Sequence, residues 1–144
     1  MIRPDFIKRK ISLIQDDLVK LSGFSQYSLS QITSDYIKQA AIERFLERII
    51  SRAIDINQHI IVENDDAKIS PPKDYKETFT ALSRLGIYPD KFAAQISKSI
   101  GTRNILIHEY DKIDYSLIYD SISDCLKDYH QYCEFILSFL EKTR

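Results

Sequence analysis

Four residues within one eight-residue stretch carry groups that can do chemistry together: Arg103, Asn104, His108 and Tyr110. Histidine is the side chain whose unperturbed pKa lies closest to neutrality, so it can move protons under physiological conditions. Arginine offers a fixed fork of donors that suits an oxyanion. Projected at about 100° per residue, Phe92, Ala93, Ile96, Ile100 and Ile107 form one apolar stripe about 100° wide, and Arg103 falls inside it. Asn104 and His108, four apart, lie together at its edge. Tyr110 returns to within about 20° of Arg103 if the helix continues that far.

An unpaired buried guanidinium is costly, so this arginine needs a partner or a wet pocket. Two readings stay open on the pattern alone. Arg103 is a structural residue, paired with a carboxylate or reaching past the apolar surface on its alkyl stem. Alternatively, it belongs to a functional site at a seam between helices or subunits. His108 by itself reads as an ordinary structural histidine. Tyr110 by itself reads as an interface tyrosine, one of nine in the chain.

The elements that must position these residues are helices. Ile7, Ile11, Ile14, Leu18 and Leu21 alternate in steps of four and three, which predicts a helix from about Pro4 to Leu21, closed by Gly23. A polar link, Phe24 to Ile32, follows. The second helix is predicted from about Ser34 to Val62, with Ile37, Ala41, Phe45, Leu46, Ile49, Ala53, Ile56 and Ile60 on its apolar face. Asp65 to Lys73, with Pro71 and Pro72, reads as a loop. Three more helices follow, about Asp74–Leu85, Asp90–His108 and Asp114–Lys142. The last repeats Ile118, Ile122, Cys125, Tyr129, Cys133, Ile136 and Leu140. No segment alternates with period two. The expected fold is all-α, an antiparallel bundle of about five helices forming a single domain over residues 1–144.

Composition agrees. With 3 Gly and 4 Pro in 144 residues, the chain has few turns to spend on a sandwich or barrel of many short strands. No apolar run approaches the ~18–20 residues of a membrane helix, and the start lacks an apolar leader segment, so a cytoplasmic location is expected. Cys125 and Cys133, eight apart on one helix, are separated by about 12 Å of rise and read as buried thiols. His59, His108 and His130 show no zinc-ligand spacing. Arg44, Arg48 and Arg52 align on the second helix, where Glu43, Glu47 and Asp55 can pair with them as a solvated face. The Lys8-Arg9-Lys10 cluster reads similarly.

The stretch Arg103-Asn-Ile-Leu-Ile-His108-Glu-Tyr110 resembles the R-x4-H-x-Y motif of the HepT-like toxins, a branch of the HEPN superfamily of helical RNases. Asn104 matches the polar residue that often follows the arginine. Leu85-Gly86-Ile87 and Pro89 before the motif helix, and Asp111 to Asp114 before a long amphipathic helix, resemble the layout of that family. The specific part of the resemblance runs roughly from Leu85 to Leu117.

The resemblance implies a metal-independent ribonuclease, the toxin of a type II toxin–antitoxin pair. The ribose 2′-OH would attack the adjacent phosphorus, leaving a 2′,3′-cyclic phosphate or a related end. His108 is then the expected general acid/base, Arg103 the phosphate and transition-state clamp, and Asn104 a residue that orients His108 or the substrate. No cofactor or metal is implied, ATP being used only by the partner. That partner is a MntA-type nucleotidyltransferase antitoxin, which transfers AMP onto the tyrosine of the motif, here Tyr110. An anionic adduct there could block RNA and occupy the arginine.

Arg103 and His108 are about 140° apart on an ideal helix. Either the helix loosens near His108, or residues from two chains converge, and the resemblance implies a homodimer with facing motifs. The RNA target, transfer or messenger, stays open. The rival reading is a non-catalytic helical adaptor subunit of a nucleotidyltransferase complex.

The near-neutral net charge of −1 does not exclude RNA. Residues 1–113 hold 17 Lys+Arg against 15 Asp+Glu, whereas residues 114–144 hold 3 against 6. The acidic excess lies in the last helix, away in sequence from the motif.

Overall fold

A computed structural model describes residues 1–64 and 69–143, apart from the side chain of Tyr110. Seven α-helices occur among these residues: α1 (Pro4–Ser22), α2 (Leu29–Thr33), α3 (Tyr36–Glu63), α4 (Tyr75–Arg84), α5 (Asp90–Ile96), α6 (Ser99–His108) and α7 (Tyr115–Lys142). Short 3-10 turns follow α1 (Gly23–Gln26) and α6 (Tyr110–Lys112). No helix among the described residues is long and apolar enough to cross a membrane. The predicted loop from Asp65 lies partly outside the described residues.

The stripes read from α1 and α7 are both buried in full, and they close the core against α3. Cys125 and Cys133 are free, buried thiols within that core, and burial pushes the Cys133 thiol up to about 12. Among the described residues, α3 departs from its predicted face. Ile37 is 79% exposed, while Ile42, Ile50 and Ile54 are buried, because α3 is covered on two sides rather than one. α1 ends at Gly23 as expected, though not through a left-handed glycine. Gly23 keeps right-handed geometry and leads into a 3-10 turn, and the link after it contains α2, capped by Ser28 and Gln31 in a reciprocal capping box.

The arginine face of α3 is not the solvated helix-surface array expected. Arg44 pairs with Glu47 at 3.6 Å. Arg48 and Arg52, however, reach across to Asp17 of α1, at 3.2 and 2.7 Å. Asp17 is only 1% exposed, and a buried carboxylate attracts cations more strongly than solvated carboxylates on the same helix do. Glu43 instead accepts a hydrogen bond from the Tyr115 hydroxyl at 2.9 Å, and Asp55 takes Lys10 at 3.0 Å.

α4 ends where expected, at Gly86. Its φ of +81° lets Gly86 N–H bond Ser83 O and Ile87 N–H bond Leu82 O, the paired closure of a Schellman turn. A buried polar network then fixes α4 against its neighbours. The Asn57 amide of α3 donates to Thr78 Oγ1 of α4 at 3.1 Å, and Tyr132 of α7 donates to Asn57 Oδ1 at 2.6 Å.

The single helix predicted over Asp90–His108 is two. At the junction the ladder tightens to three-residue bonds: Lys98 N–H to Gln95 O, Ile100 N–H to Ser97 O and Gly101 N–H to Lys98 O. Ser97 and Ser99 each return their hydroxyl to the carbonyl three residues back, at 3.0 and 2.7 Å. Such back-bonding competes with the helical ladder and bends it. Ser99 Oγ also lies 2.7 Å from the hydroxyl of Tyr129, which is fully buried and finds its polar partner there.

Candidate active site

The bend gives α6 its own phase. Ile100 and Leu106 are buried, Ile107 is half-buried, and Arg103 is half-buried at the side of α6 that meets α3 and α4. The bend breaks the single-helix projection from Phe92 to Ile107, yet its apolar residues are buried (Ala93, Ile96, Ile100) or half-buried (Phe92, Ile107), and its arginine sits at a packed seam.

Arg103 is held by neutral groups. Its Nε donates to Ser51 Oγ of α3 at 3.1 Å. Its guanidinium carbon stands 5.0 Å from the ring centroid of Tyr75, the first residue of α4. Among the described residues, no carboxylate lies within ion-pair distance of it. The guanidinium is thus oriented but not neutralised. Of the structural readings, pairing with Asp or Glu is not found among the described residues.

Asn104 is exposed and lines an open cleft of about 530 Å³ with Lys73, Asp74, Tyr75, Lys76 and Ile100. No hydrogen bond joins it to His108 among the described residues. His108 is the last residue of α6 and is exposed. Glu109 leaves the helix with φ −126° and ψ 29°, so α6 ends directly after His108, and the span from Arg103 to His108 stays helical. The helical projection of Tyr110 fails for the same reason, since Tyr110 opens a 3-10 turn rather than continuing α6. Its side chain lies outside the described residues. The structure thus places Asn104 and Tyr75 on one cleft, with Arg103 against the Tyr75 ring and His108 at the end of the same helix.

The family described as "Ribonuclease HepT-like" matches residues 14–136. The chain belongs to the HepT-like ribonucleases. A curated relative, "tRNA nuclease HepT" of Aphanizomenon flos-aquae (strain 2012/KM1/D3), is 37% identical over 141 residues, covering 96% of this chain and 92% of its own. A second, "mRNA nuclease HepT" of Shewanella oneidensis, is 25% identical over 107 residues, covering 74% and 78%. The fold is similar to that of a tri-AMPylated Shewanella oneidensis HEPN toxin solved in complex with an MNT antitoxin. That match has a TM-score of 0.80 and 24% identity, over 94% of this chain and 99% of that one.

Within this HepT-like chain, reading the sequence had missed Ser51 and Tyr75. Ser51 becomes a partner only because α3 and α6 cross, 52 residues apart in sequence. Tyr75 had a faint signal. It opens α4 outside the positions that α4 buries, Thr78, Phe79, Ala81 and Leu82, and so is an aromatic not used by the core. Thr78 Oγ1 donates to Tyr75 O at 2.7 Å, and Asp74 accepts from Glu77 N–H, which fixes the backbone that carries the ring.

The two classes of arginine should separate in stability measurements. Arg103→Met keeps the alkyl packing and is expected to cost no more than about 1.5–3 kcal/mol in urea unfolding, the scale of one hydrogen bond from a charged group. Arg48→Ala with Arg52→Ala strands Asp17 and is expected to cost about 3–5 kcal/mol. An equal loss in both would show that Arg103 is structural.

Proposed function

We propose that residues 1–144 form one HepT-like domain, the toxin of a type II toxin–antitoxin pair, acting on RNA in the cytoplasm. The observation that carries this reading is an arginine at a packed seam, oriented by Ser51 and Tyr75, with no carboxylate in ion-pair distance among the described residues and an open cleft lined by the same Tyr75. Such a guanidinium is prepared for an anion that arrives from outside. In RNA that anion is the scissile phosphate, whose charge rises in the transition state.

In this reading His108 takes the proton of the ribose 2′-OH. The freed oxygen attacks phosphorus, the bond to the 5′-oxygen breaks, and the leaving oxygen receives a proton. Arg103 holds the phosphate oxygens throughout. Asn104 orients the substrate rather than His108, in keeping with its place on the cleft wall. Transfer RNA is the favoured substrate class, because the 37% identical relative is named for it.

Two chains complete the site. Arg103 and His108 point about 140° apart on one helix, and His108 is exposed at its end. A two-fold homodimer brings the His108 of one protomer toward the Arg103 of the other. Mixing Arg103→Ala with His108→Ala chains tests this. If the site is shared, the mixed dimer keeps one intact Arg–His pair and cleaves at about half the wild-type rate. In that case each mutant homodimer is inactive. Heterodimers with no activity, or mutant homodimers with full activity, would contradict it.

Tyr110 is the residue we assign to control. A MntA-type nucleotidyltransferase antitoxin transfers AMP from ATP onto it, adding bulk and negative charge seven residues from Arg103. Mass spectrometry after co-expression with the antitoxin should find an AMP-sized addition on the Tyr110 peptide, absent from Tyr110→Phe. An unmodified peptide in a neutralised toxin would contradict the assignment.

A further inference from the structure

Tyr75 stands between two open clefts. The first, about 530 Å³, carries Asn104, Lys73 and Lys76 on its walls. The second, about 500 Å³, runs past Val62, Pro72 and Thr78. Both volumes fall in the range of roughly 300–1,000 Å³ common for small-ligand sites. The Tyr75 ring is 41% exposed and contributes nothing to the buried face of α4.

The surroundings of this ring suit a nucleotide. A phosphate on Arg103 is one ribose away from the base it carries, and the Arg103 guanidinium already lies against the Tyr75 ring. Lys73 and Lys76 are exposed, and neither ammonium has an ion-pair partner among the described residues. The carboxylate on the same wall, Asp74, is engaged in capping α4 through Glu77 N–H at 2.9 Å. Asn104, on the same cleft wall, carries an amide with both donors and an acceptor. Aromatic faces bind unstacked bases, whereas charged walls hold the backbone that carries them.

We infer that Tyr75, Asn104, Lys73 and Lys76 form a nucleotide subsite of single-stranded RNA beside the scissile phosphate. The base stacks on Tyr75, its edge meets the Asn104 amide, and the two lysines carry the neighbouring phosphate. This subsite rests on the ribonuclease reading of Arg103 and His108 given above.

The test is steady-state cleavage of a short single-stranded oligoribonucleotide by the full chain. Matched substrates lack one base on either side of the cut. Tyr75→Ala should raise KM roughly tenfold, within the range for loss of one stacked base, with a smaller change in kcat. Tyr75→Phe should behave as wild type. The abasic substrate should cost the wild type that same factor and cost Tyr75→Ala nothing further. Lys73→Ala with Lys76→Ala should raise KM and flatten its salt dependence.

An abasic penalty equal in wild type and Tyr75→Ala overturns the subsite. So does a Tyr75→Ala loss confined to kcat, which would mean that the ring only props Arg103. Wild-type kinetics in Tyr75→Ala, with cleavage lost in Arg103→Ala and His108→Ala, overturns the subsite alone. Full activity in Arg103→Ala and His108→Ala overturns the ribonuclease reading, and the subsite with it.

Discussion

A guanidinium is expensive to remove from water, and proteins usually meet that cost with a carboxylate. Arg48 and Arg52 follow this rule through Asp17. Arg103 does not. It is half-buried against a serine hydroxyl and an aromatic face, which fix its direction without cancelling its charge. A charge treated in this way keeps its field for an anion, and it acts in a setting less polar than bulk water. The rest of the molecule can be understood as the means of holding three helices in place around that one group.

Each of the three is fixed by a different device. α3 is anchored through its own arginines to the buried Asp17 of α1, so Ser51 is presented from a helix that cannot easily roll. α4 is tied at its start, by the Asp74 cap and the chain of bonds from Tyr132 through Asn57 to Thr78. Thr78 bonds the carbonyl of Tyr75 itself, so the buried network reaches the residue beside the arginine. α6 is turned by the serine-rich bend at Ser97–Ser99, which the Tyr129 hydroxyl stabilises from α7. Buried networks of this kind contribute more to uniqueness of arrangement than to net stability.

How much of this could be read beforehand follows from the range of each interaction. The stripes of α1 and α7 were legible because single-sided burial leaves a strict three–four spacing, and every residue named in them is buried. The stop at Gly86 was legible because only a left-handed position demands glycine there. The break inside the predicted fourth helix was not, since Ser97, Lys98 and Ser99 are all acceptable in a helix, and the bend depends on Tyr129, thirty residues away. The partners of Arg48 and Arg52 were not legible because nearby carboxylates lie on the same helix, whereas Asp17 lies on another helix, more than thirty residues away in sequence. For the candidate site, Arg103, Asn104 and His108 stand out in the sequence by spacing and motif. Ser51 and Tyr75 come from helices whose crossing no local pattern encodes.

The central claim is that the Arg103 charge is reserved for an RNA phosphate, and salt dependence of binding measures that most directly. The binding constant of a non-cleavable, 2′-deoxy-substituted oligonucleotide would be followed against salt concentration for wild type and Arg103→Ala. Each phosphate neutralised on a single strand contributes about 0.7 to the slope of log K against log[salt]. The slope for Arg103→Ala should be shallower by about 0.7 for every Arg103 engaged. Identical slopes in the two proteins would contradict the account.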